Sequence, residues 1–435
     1  MENILYLSQL LPYPPDAGAK VRQYLTLRYL AQRHRVTLVS FTRSDDSPAA
    51  KKHLETICAA VRTAPMQRSR GRDARYLAGS WLSGESFIIR RDRVKEMTAL
   101  VRSELDTGGY SAVHADQLWM AQYALLAKGR VPRLVLDEHN ACYQIYERLA
   151  EGEKNPVKHI ALEREWRALR DYEARACAQF DRVVTVTEED REILEGLVAD
   201  LTPQPPSPST SSGQAPSTRL RRAQSSRSGQ AFQGKWGERP QFSTIPICVD
   251  TDAVAAVTPN QGAPNVLHLG TMFWPPNIEG VLWFAREAWP RVRAEIPEAT
   301  FTIVGKNPPE AVRRLEGEGS GIIVTGYVPD PLPYLQQASA FVVPLFSAGG
   351  MRVKIVDAWR WGLPIVSTTI GAEGIVYQPG ENICIADDAD FFAAAVINLL
   401  RDGELNARLR QNGRRWVEEK YDWQRVYPAW EQVYG

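Results

Sequence analysis

The stretch from residue 341 to residue 369 places a glycine-containing turn directly before a short charged helix. Phe341–Leu345 is an apolar, β-branched run of strand length, and 347–350 is a turn of small residues. The pattern then predicts a helix from about Met351 to Trp361 and a second buried strand over Ile365–Thr369. This strand–helix–strand unit leaves free backbone N–H groups at the turn, where the helix dipole favours an anion.

Charged side chains follow this turn at helical spacing. Gly350, Lys354 and Asp357 fall at i, i+4 and i+7 and therefore share one helix face, with Arg352 beside them in the first turn. Two cations near a helix N-terminus suit a diphosphate, and a carboxylate one turn on suits a sugar or ribose hydroxyl. The alternative is a solvated Arg/Lys pair on an ordinary helix, with Asp357 paired to Lys354 on its surface.

The segment resembles the donor-binding signature of family-four glycosyltransferases of the GT-B fold. The motif G-G-x-R-x-K-x-x-E of that family stands here as Gly349 and Gly350, then Arg352, Lys354 and Asp357. Asp357 replaces the usual Glu, which keeps the charge but shortens the reach by one methylene. The resemblance continues from residue 265 to the C-terminus and, more loosely, through residues 1–200. It implies an α/β protein of two doubly wound, Rossmann-like domains facing a central cleft.

The same resemblance implies a reaction. A sugar would pass from a nucleotide-sugar donor to a hydroxyl acceptor, with retention of anomeric configuration, with no cofactor and with no essential metal. The expected setting is bacterial exopolysaccharide, capsule or lipid-linked glycan assembly. Two alternatives remain: a sugar-nucleotide epimerase on the same fold, or an inactive partner that binds nucleotide sugar without turnover.

Composition bounds the class of protein. A chain of 435 residues should form two domains of ordinary size. Because 52 Lys and Arg balance 51 Asp and Glu, the charge indicates no nucleic-acid partner. The cysteines are scattered with no C-x-x-C pair, and no signal peptide or spanning segment is recognisable, so we expect a cytoplasmic protein. The five cysteines are Cys58, Cys142, Cys177, Cys248 and Cys384.

Domain boundaries follow from changes in composition. We expect an acceptor-side domain over 1–200 and a donor domain over 245–415. Between them, 203–240 is rich in Ser, Pro and Arg and is predicted to be a disordered insert. The aromatic-rich segment 416–435 is predicted to be a helix that crosses back to the first domain.

The N-terminal half opens with strand, loop, helix and strand, as in a parallel doubly wound sheet. Its first loop contains Gly18, which either approaches the donor diphosphate, as the resemblance implies, or merely permits a turn.

Polar side chains end two later strands of this half. A-V-H-A-D ends at Asp116 and includes His114, and L-V-L-D-E is followed by His139 and Asn140. Because ligands bind at the carboxyl ends of parallel strands, these side chains should point into the cleft. In the family these positions line the acceptor side. We therefore expect Asp116 first and His114 second to take part in catalysis, and His139 and Asn140 to line the acceptor site. Each His could instead be a hydrogen-bonded scaffold residue.

The second half repeats a strand that exits at a glycine. In the family, the loop of Gly270 lies near the phosphates, the backbone of Tyr327 and Val328 near the base, and Glu373 and Gly374 near the sugar. Many relatives carry a basic residue shortly after the first of these positions, but Met-Phe-Trp follows here. The charge of the leaving diphosphate should therefore fall on Arg352 and Lys354, as the catalytic cations.

Residues 62–95 are basic, with arginines interleaved among aromatic and aliphatic residues. Such a run either contacts an anionic membrane or is a solvated face over ordinary core residues. The first interpretation would place the protein at the inner face of the cytoplasmic membrane.

Overall fold

The computed structural model describes residues 1–15, 18–44, 46–66, 68–201, 239–258, 262–272, 274–347 and 350–435. The predicted disordered insert 203–240 lies outside these residues except for its last two. Gly349 lies outside them as well.

The first sheet is parallel throughout and built from short apolar runs. Its strand order is β3-β2-β1-β4-β5-β6-β7, so the chain winds outwards from β1 in one direction and then from β4 in the other. The strands are β1 (Asn3–Ser8), β2 (Arg35–Thr42), β3 (Ala60–Pro65), β4 (Ala112–Asp116), β5 (Arg133–Glu138), β6 (Arg182–Thr185) and β7 (Gln241–Thr244). β7 follows the predicted insert and still pairs with β6.

Helices cover both faces of this sheet because each strand carries apolar residues on both sides. They are α1 (Gly18–Ala31), α2 (Pro48–Glu55), α3 (Arg70–Ser83), α4 (Phe87–Arg91), α5 (Lys95–Thr107), α6 (Leu118–Ala124), α7 (Cys142–Gly152), α8 (Pro156–Cys177) and α9 (Glu188–Leu201).

The second sheet repeats the arrangement with the order β10-β9-β8-β11-β12-β13, again parallel. Its strands are β8 (Asn265–Leu269), β9 (Thr300–Val304), β10 (Ile322–Gly326), β11 (Ala340–Val343), β12 (Ile365–Ser367) and β13 (Cys384–Ile385). Its helices are α10 (Pro275–Trp283), α11 (Trp289–Glu295), α12 (Glu310–Arg313), α13 (Leu332–Gln337), α14 (Val353–Arg360) and α15 (Ala389–Arg401). The predicted α/β fold of two doubly wound sheets is confirmed.

The last part of the chain returns to the first sheet, but not as one helix. α16 (Gly403–Lys420) ends before Asp422, whose carboxylate accepts from the Gln424 N–H at 2.9 Å and from the Thr251 hydroxyl at 2.6 Å. This cap starts a new helix, so α17 (Trp423–Val426) and α18 (Trp430–Tyr434) follow as separate short helices. Trp423, Trp430 and other aromatic residues of this segment are buried in the core on one face of the first sheet.

No helix among the described residues combines the length and apolar character that crossing a bilayer requires.

Candidate functional site

The glycine turn before α14 lies against the other half of the molecule. Gly350 has a φ of 71°, a conformation that glycine adopts without strain. A Cβ at this position would lie 3.3 Å from the Asn140 Cβ and 3.5 Å from the His139 carbonyl oxygen. Likewise, a Cβ at Gly18 would lie 3.3 Å from a methyl group of Val353. The predicted first loop, the glycine turn and the strand end at His139 and Asn140 therefore meet in one cleft.

Lys354 projects from α14 towards the exit of β8. Its Nζ donates to Asn277 Oδ1 at 2.6 Å and would lie 3.1 Å from a Cβ at Gly270. Burial, and then the neighbouring Arg352, lower the pKa of Lys354 to about 7. A partly desolvated ammonium beside a glycine loop is ready to gain an anionic partner. Asn277 is a site residue that sequence reasoning missed, although it stands in the first turn of the helix after the Gly270 loop.

Arg352 occupies the N-cap position of α14 and bonds within the cleft. Its guanidinium donates to the Gly350 carbonyl and to Glu373 Oε2, the latter at 3.0 Å. Burial lowers the pKa of Arg352 to about 10 despite this partner. Gly374 has a φ of 76°, and a Cβ there would lie 2.9 Å from the Met351 Cα. The structure therefore brings Arg352, Glu373 and Gly374 together, while their predicted roles towards the donor stay predictions.

Arg148 of α7 reaches the same carboxylate from the opposite side, with Nη1 3.5 Å from Glu373 Oε2. It was not predicted, because nothing in its local sequence shows which face of α7 meets the second sheet. A cavity in the cleft is lined from the first sheet's side by Gln144, Arg148, Thr187, Glu189 and Asp190, and from the second by Gly350, Glu373 and Gly374.

Asp357 lies further along α14 and pairs with Arg360, whose Nη2 is 2.7 Å from Oδ1. Its side chain is 40% exposed. The alternative that pairs it with Lys354 is therefore wrong, since Lys354 bonds Asn277 instead. Its predicted role towards the donor stays a prediction.

The two positions predicted to lie near the base, Tyr327 and Val328, follow the end of β10. Gly326 has a φ of 73°, and the Tyr327 side chain after it is 68% exposed, while Val328 packs partly into the core. The Tyr327 ring makes none of the ring contacts found among the described residues, and the expectation that its backbone lies near the base stays a prediction.

On the first sheet, His139 covers Asp116. His139 Nε2 lies 3.1 Å from Asp116 Oδ1, and Asp116 also accepts from Gln23 Nε2 and, at 3.4 Å, from the Tyr6 hydroxyl. Asp116 is fully buried, whereas His139 is 8% exposed. The expectation that Asp116 itself points into the cleft is wrong, because His139 stands over it. Asp116 is placed to orient His139.

His114 does not face the cleft either. It shares a sheet face with Asp116, two residues on, and the C-terminal helices cover that face. Its Nδ1 lies 2.6 Å from the Tyr434 hydroxyl, and its ring stacks on Tyr6 at a centroid distance of 4.4 Å. Burial lowers the pKa of His114 to about 4. It is therefore a neutral scaffold residue in this structure.

A buried ion pair lies beneath these groups. Arg22 and Asp137 are fully buried, and Arg22 Nε lies 3.0 Å from both Asp137 oxygens. Burial alone would raise the pKa of Asp137, but Arg22 holds it below its usual range.

Two sets of side chains among the described residues could hold a metal ion, with ligand atoms within 4.8 Å of one another. One is His114, Asp116 and Asp137, and the other is Glu138, Cys142 and Glu173. The first set already bonds Arg22, Tyr434, Gln23 and His139. The expectation that no metal is essential stays a prediction.

Comparisons with known proteins agree with this geometry. Residues 17–200 match the family described as "Glycosyltransferase Family 4", and residues 263–402 match "Glycosyl transferases group 1". An "uncharacterized 44.6 kDa protein in cps region" of Klebsiella pneumoniae is 29% identical over 172 residues, 38% of this chain and 44% of that protein. A phosphatidyl-myo-inositol mannosyltransferase of Mycolicibacterium smegmatis is 28% identical over 199 residues, 44% of this chain and 50% of its own. The chain thus spans about half the length of these curated relatives.

Solved structures show the same fold over the whole chain. The Anabaena protein Alr3699/HepE, in complex with UDP and glucose, aligns with a TM-score of 0.63 at 12% identity and covers 100% of this chain and 99% of its own. WaaG, a glycosyltransferase involved in lipopolysaccharide biosynthesis, aligns with a TM-score of 0.59 at 12% identity, covering 99% and 100%. With one match on each sheet and this shared architecture, the protein belongs to glycosyltransferase family 4 and has the GT-B fold.

Proposed function

We propose that this protein transfers a hexosyl group from a nucleotide-sugar donor to a hydroxyl of a glycan or lipid-linked acceptor. The observation that carries the proposal is the position of Lys354. Its ammonium lies within 3.1 Å of a Cβ at Gly270 and one helical turn from the Gly350 turn, where backbone N–H groups favour an anion. A diphosphate between these two glycines would gain a cation that has no carboxylate partner among the described residues within 4.0 Å.

The protein would accelerate the reaction by stabilising the charge of the leaving diphosphate. Lys354 would neutralise charge as the bond to the sugar breaks, and Arg352 would hold Glu373 in place beside the sugar. We propose retention of anomeric configuration, as the family resemblance implies. We also propose that no metal is essential, because these two cations would supply the charge that a metal would otherwise supply. His139, oriented by Asp116, would lie on the acceptor side. This is supported by its carbonyl oxygen, which lies 3.5 Å from where a Cβ at Gly350 would be.

A donor panel tests the function. Release of nucleoside diphosphate is measured from UDP-glucose, UDP-N-acetylglucosamine and GDP-mannose, with octyl glucoside, octyl galactoside and octyl mannoside as hydroxyl acceptors. We expect release that depends on an acceptor and persists in EDTA, with an α-linked product from an α-linked donor. Absence of both nucleoside diphosphate binding and release would contradict the proposal. Epimerisation of the donor without release would favour the epimerase.

We also propose that α3 contacts an anionic membrane from the cytoplasmic side, where a lipid-linked acceptor would be found. Only Ser80 of this helix is buried, while Leu77, Trp81 and Leu82 are 44%, 52% and 91% exposed. Arg70 and Arg75 are exposed on the same helix. Apolar residues beside arginines match an interface of acyl chains and anionic headgroups.

Vesicle flotation tests this contact. We expect binding to phosphatidylglycerol vesicles and little to phosphatidylcholine vesicles, and a loss of binding when Leu77, Trp81 and Leu82 are all replaced by Ser. Equal flotation of the wild type and the triple variant would show that the helix is only a solvated surface.

A further inference from the structure

Buried carboxylates surround the segment that carries His139 and Asn140. This segment lies between the end of β5 and the start of α7. Residues 141–143, at the junction of the segment with the helix, bear the first N–H groups of α7. The N-cap residue Ala141 has no side-chain oxygen to accept them. Glu173 of α8 and Asp190 of α9 lie beneath it, and they are 0% and 6% exposed.

The two acids supply the missing acceptors. The Glu173 oxygens accept from the Cys142 N–H at 2.7 Å and from the Tyr143 N–H at 3.0 Å. Asp190 Oδ1 accepts from the Ala141 N–H at 2.8 Å, and Asp190 Oδ2 accepts from the Thr187 hydroxyl at 2.6 Å. Three successive backbone donors are thus held by side chains of two other helices. These bonds satisfy N–H groups that have no partner within the helix.

These bonds act directly behind the acceptor side of the cleft. Ala141 follows Asn140 in the chain, and the Asn140 Cβ would lie 3.3 Å from a Cβ at Gly350. Movement of residues 141–143 would therefore carry His139 away from Asp116 and Asn140 away from the glycine turn. Stability alone does not explain an acid at residue 173, because burial disfavours its charged form and raises its pKa. A glutamine would avoid that cost, but only one of its two terminal atoms can accept.

We propose that Glu173 and Asp190 are positioning residues that hold His139 and Asn140 in register with the donor through the backbone of residues 141–143. The inference rests on the proposed glycosyl transfer. It predicts that their removal impairs use of the acceptor far more than binding of the donor, most of whose proposed contacts lie on the second sheet.

The chain offers a matched control in Glu165, eight residues before Glu173 in α8. Glu165 is 8% exposed and caps α4 in the same manner. Its oxygens accept from the Phe87 N–H at 3.0 Å, from the Ile88 N–H at 3.1 Å and from the Ser86 hydroxyl at 2.5 Å. Glu165→Gln therefore removes the same chemistry from a helix that does not carry the acceptor segment.

The experiment compares Glu173→Gln, Asp190→Asn and Glu165→Gln, using the donor and octyl glycoside that give turnover in the panel. We expect Glu173→Gln and Asp190→Asn to lower kcat/KM for the acceptor at least tenfold, with the dissociation constant of UDP or GDP within twofold of the wild type. Glu165→Gln should stay within twofold on both. Glu173→Asp, which keeps both acceptor oxygens, should recover part of the loss.

The results separate the two proposals. Should Glu173→Gln and Asp190→Asn match Glu165→Gln, or should donor affinity fall as much as acceptor use, the positioning role is overturned while the transferase stands. A wild type that neither binds a nucleoside diphosphate nor releases one overturns the proposed function and the inference with it. If Glu173→Gln does not fold, Asp190→Asn decides by the same criteria.

Discussion

The contacts of Lys354 in the structure could not be predicted from its position in the sequence. Sequence placed it on the anion-binding face of a helix, and the structure adds that it is desolvated and bonded to a neutral amide rather than to a carboxylate. Because burial and Arg352 lower its pKa to about 7, its charge depends on pH in the physiological range.

Donor affinity should consequently depend on pH through Lys354. Below pH 7 the free protein already carries the ammonium, whereas above pH 7 the donor must bind together with a proton. We expect the dissociation constant of the nucleotide sugar to rise up to about tenfold per pH unit above 7, as one linked proton requires. Calorimetry from pH 6 to pH 9 measures this, and Lys354→Ala should bind weakly with a flat profile. An equally steep profile in that variant would assign the proton to another group.

Asp357 offers a second prediction at this scale. If it bonds the donor ribose, Asp357→Ala should weaken donor binding about tenfold, since an unpaired hydroxyl in a closed site costs roughly 1–3 kcal/mol. Asp357→Glu, which restores the usual family residue, should bind as well as the wild type or better. The surface pair with Arg360 alone is worth about 1 kcal/mol or less to folding. Identical donor dissociation constants across the variants would leave Asp357 with that pair only.

At the scale of elements, hydrophobic periodicity predicted the strands and helices, but it did not predict which distant segments pack against them. The strand–turn–helix unit around Gly350 was predictable because its signals are local: an apolar run, a glycine and a helix stop. His114 and Asp116 were expected in the cleft because they lie at a strand end, and the strand-end rule does not consider segments that are distant in the sequence. Tyr434, more than 300 residues away, covers His114, and no local pattern shows it. Arg22, Arg148 and Glu173 were missed for the same reason. Each contacts a segment that is distant from it in the sequence.

The Arg22–Asp137 pair joins α1 to β5, and Arg22 also donates to the Ile245 carbonyl at 2.6 Å where the chain leaves β7. Arg22→Met should lower the free energy of unfolding by about 3–5 kcal/mol, because it leaves a buried carboxylate without its cation. Urea unfolding measures this loss. The control is Arg314→Met, which removes an exposed pair with Glu310 and should cost about 0.5 kcal/mol or less. Similar losses in the two variants would contradict a stabilising role for the buried pair.

At the scale of the whole molecule, the two halves meet where the turn at Gly350 approaches His139 and Asn140, so the candidate site takes residues from both sheets. Chain length predicted two domains, and the resemblance to family-four glycosyltransferases implied that they face a central cleft. The contacts across the cleft, such as Arg148 with Glu373, depend on how two surfaces fit and were not readable from sequence.

Residues 203–240 should be dispensable for the chemistry. β6 and β7 pair on either side of this stretch, so a short Gly/Ser linker from α9 to β7 should preserve the first sheet. We expect the shortened protein to keep nucleoside diphosphate binding and kcat/KM within about twofold, judged by calorimetry and the release assay. A folded shortened protein that no longer binds the donor would show that the stretch takes part in the site.

The proposed donor site requires the diphosphate to lie between Gly270 and Gly350 beside Lys354. The most direct measurement is kcat/KM for the nucleotide sugar in Lys354→Ala and Arg352→Ala, with Lys51→Ala, an exposed lysine of α2, as the control. Loss of a charged hydrogen bond of roughly 1.5–3 kcal/mol predicts a decrease of about ten- to a hundredfold in each cleft variant and none in the control. Wild-type kcat/KM in both folded cleft variants would contradict the assignment of the donor site.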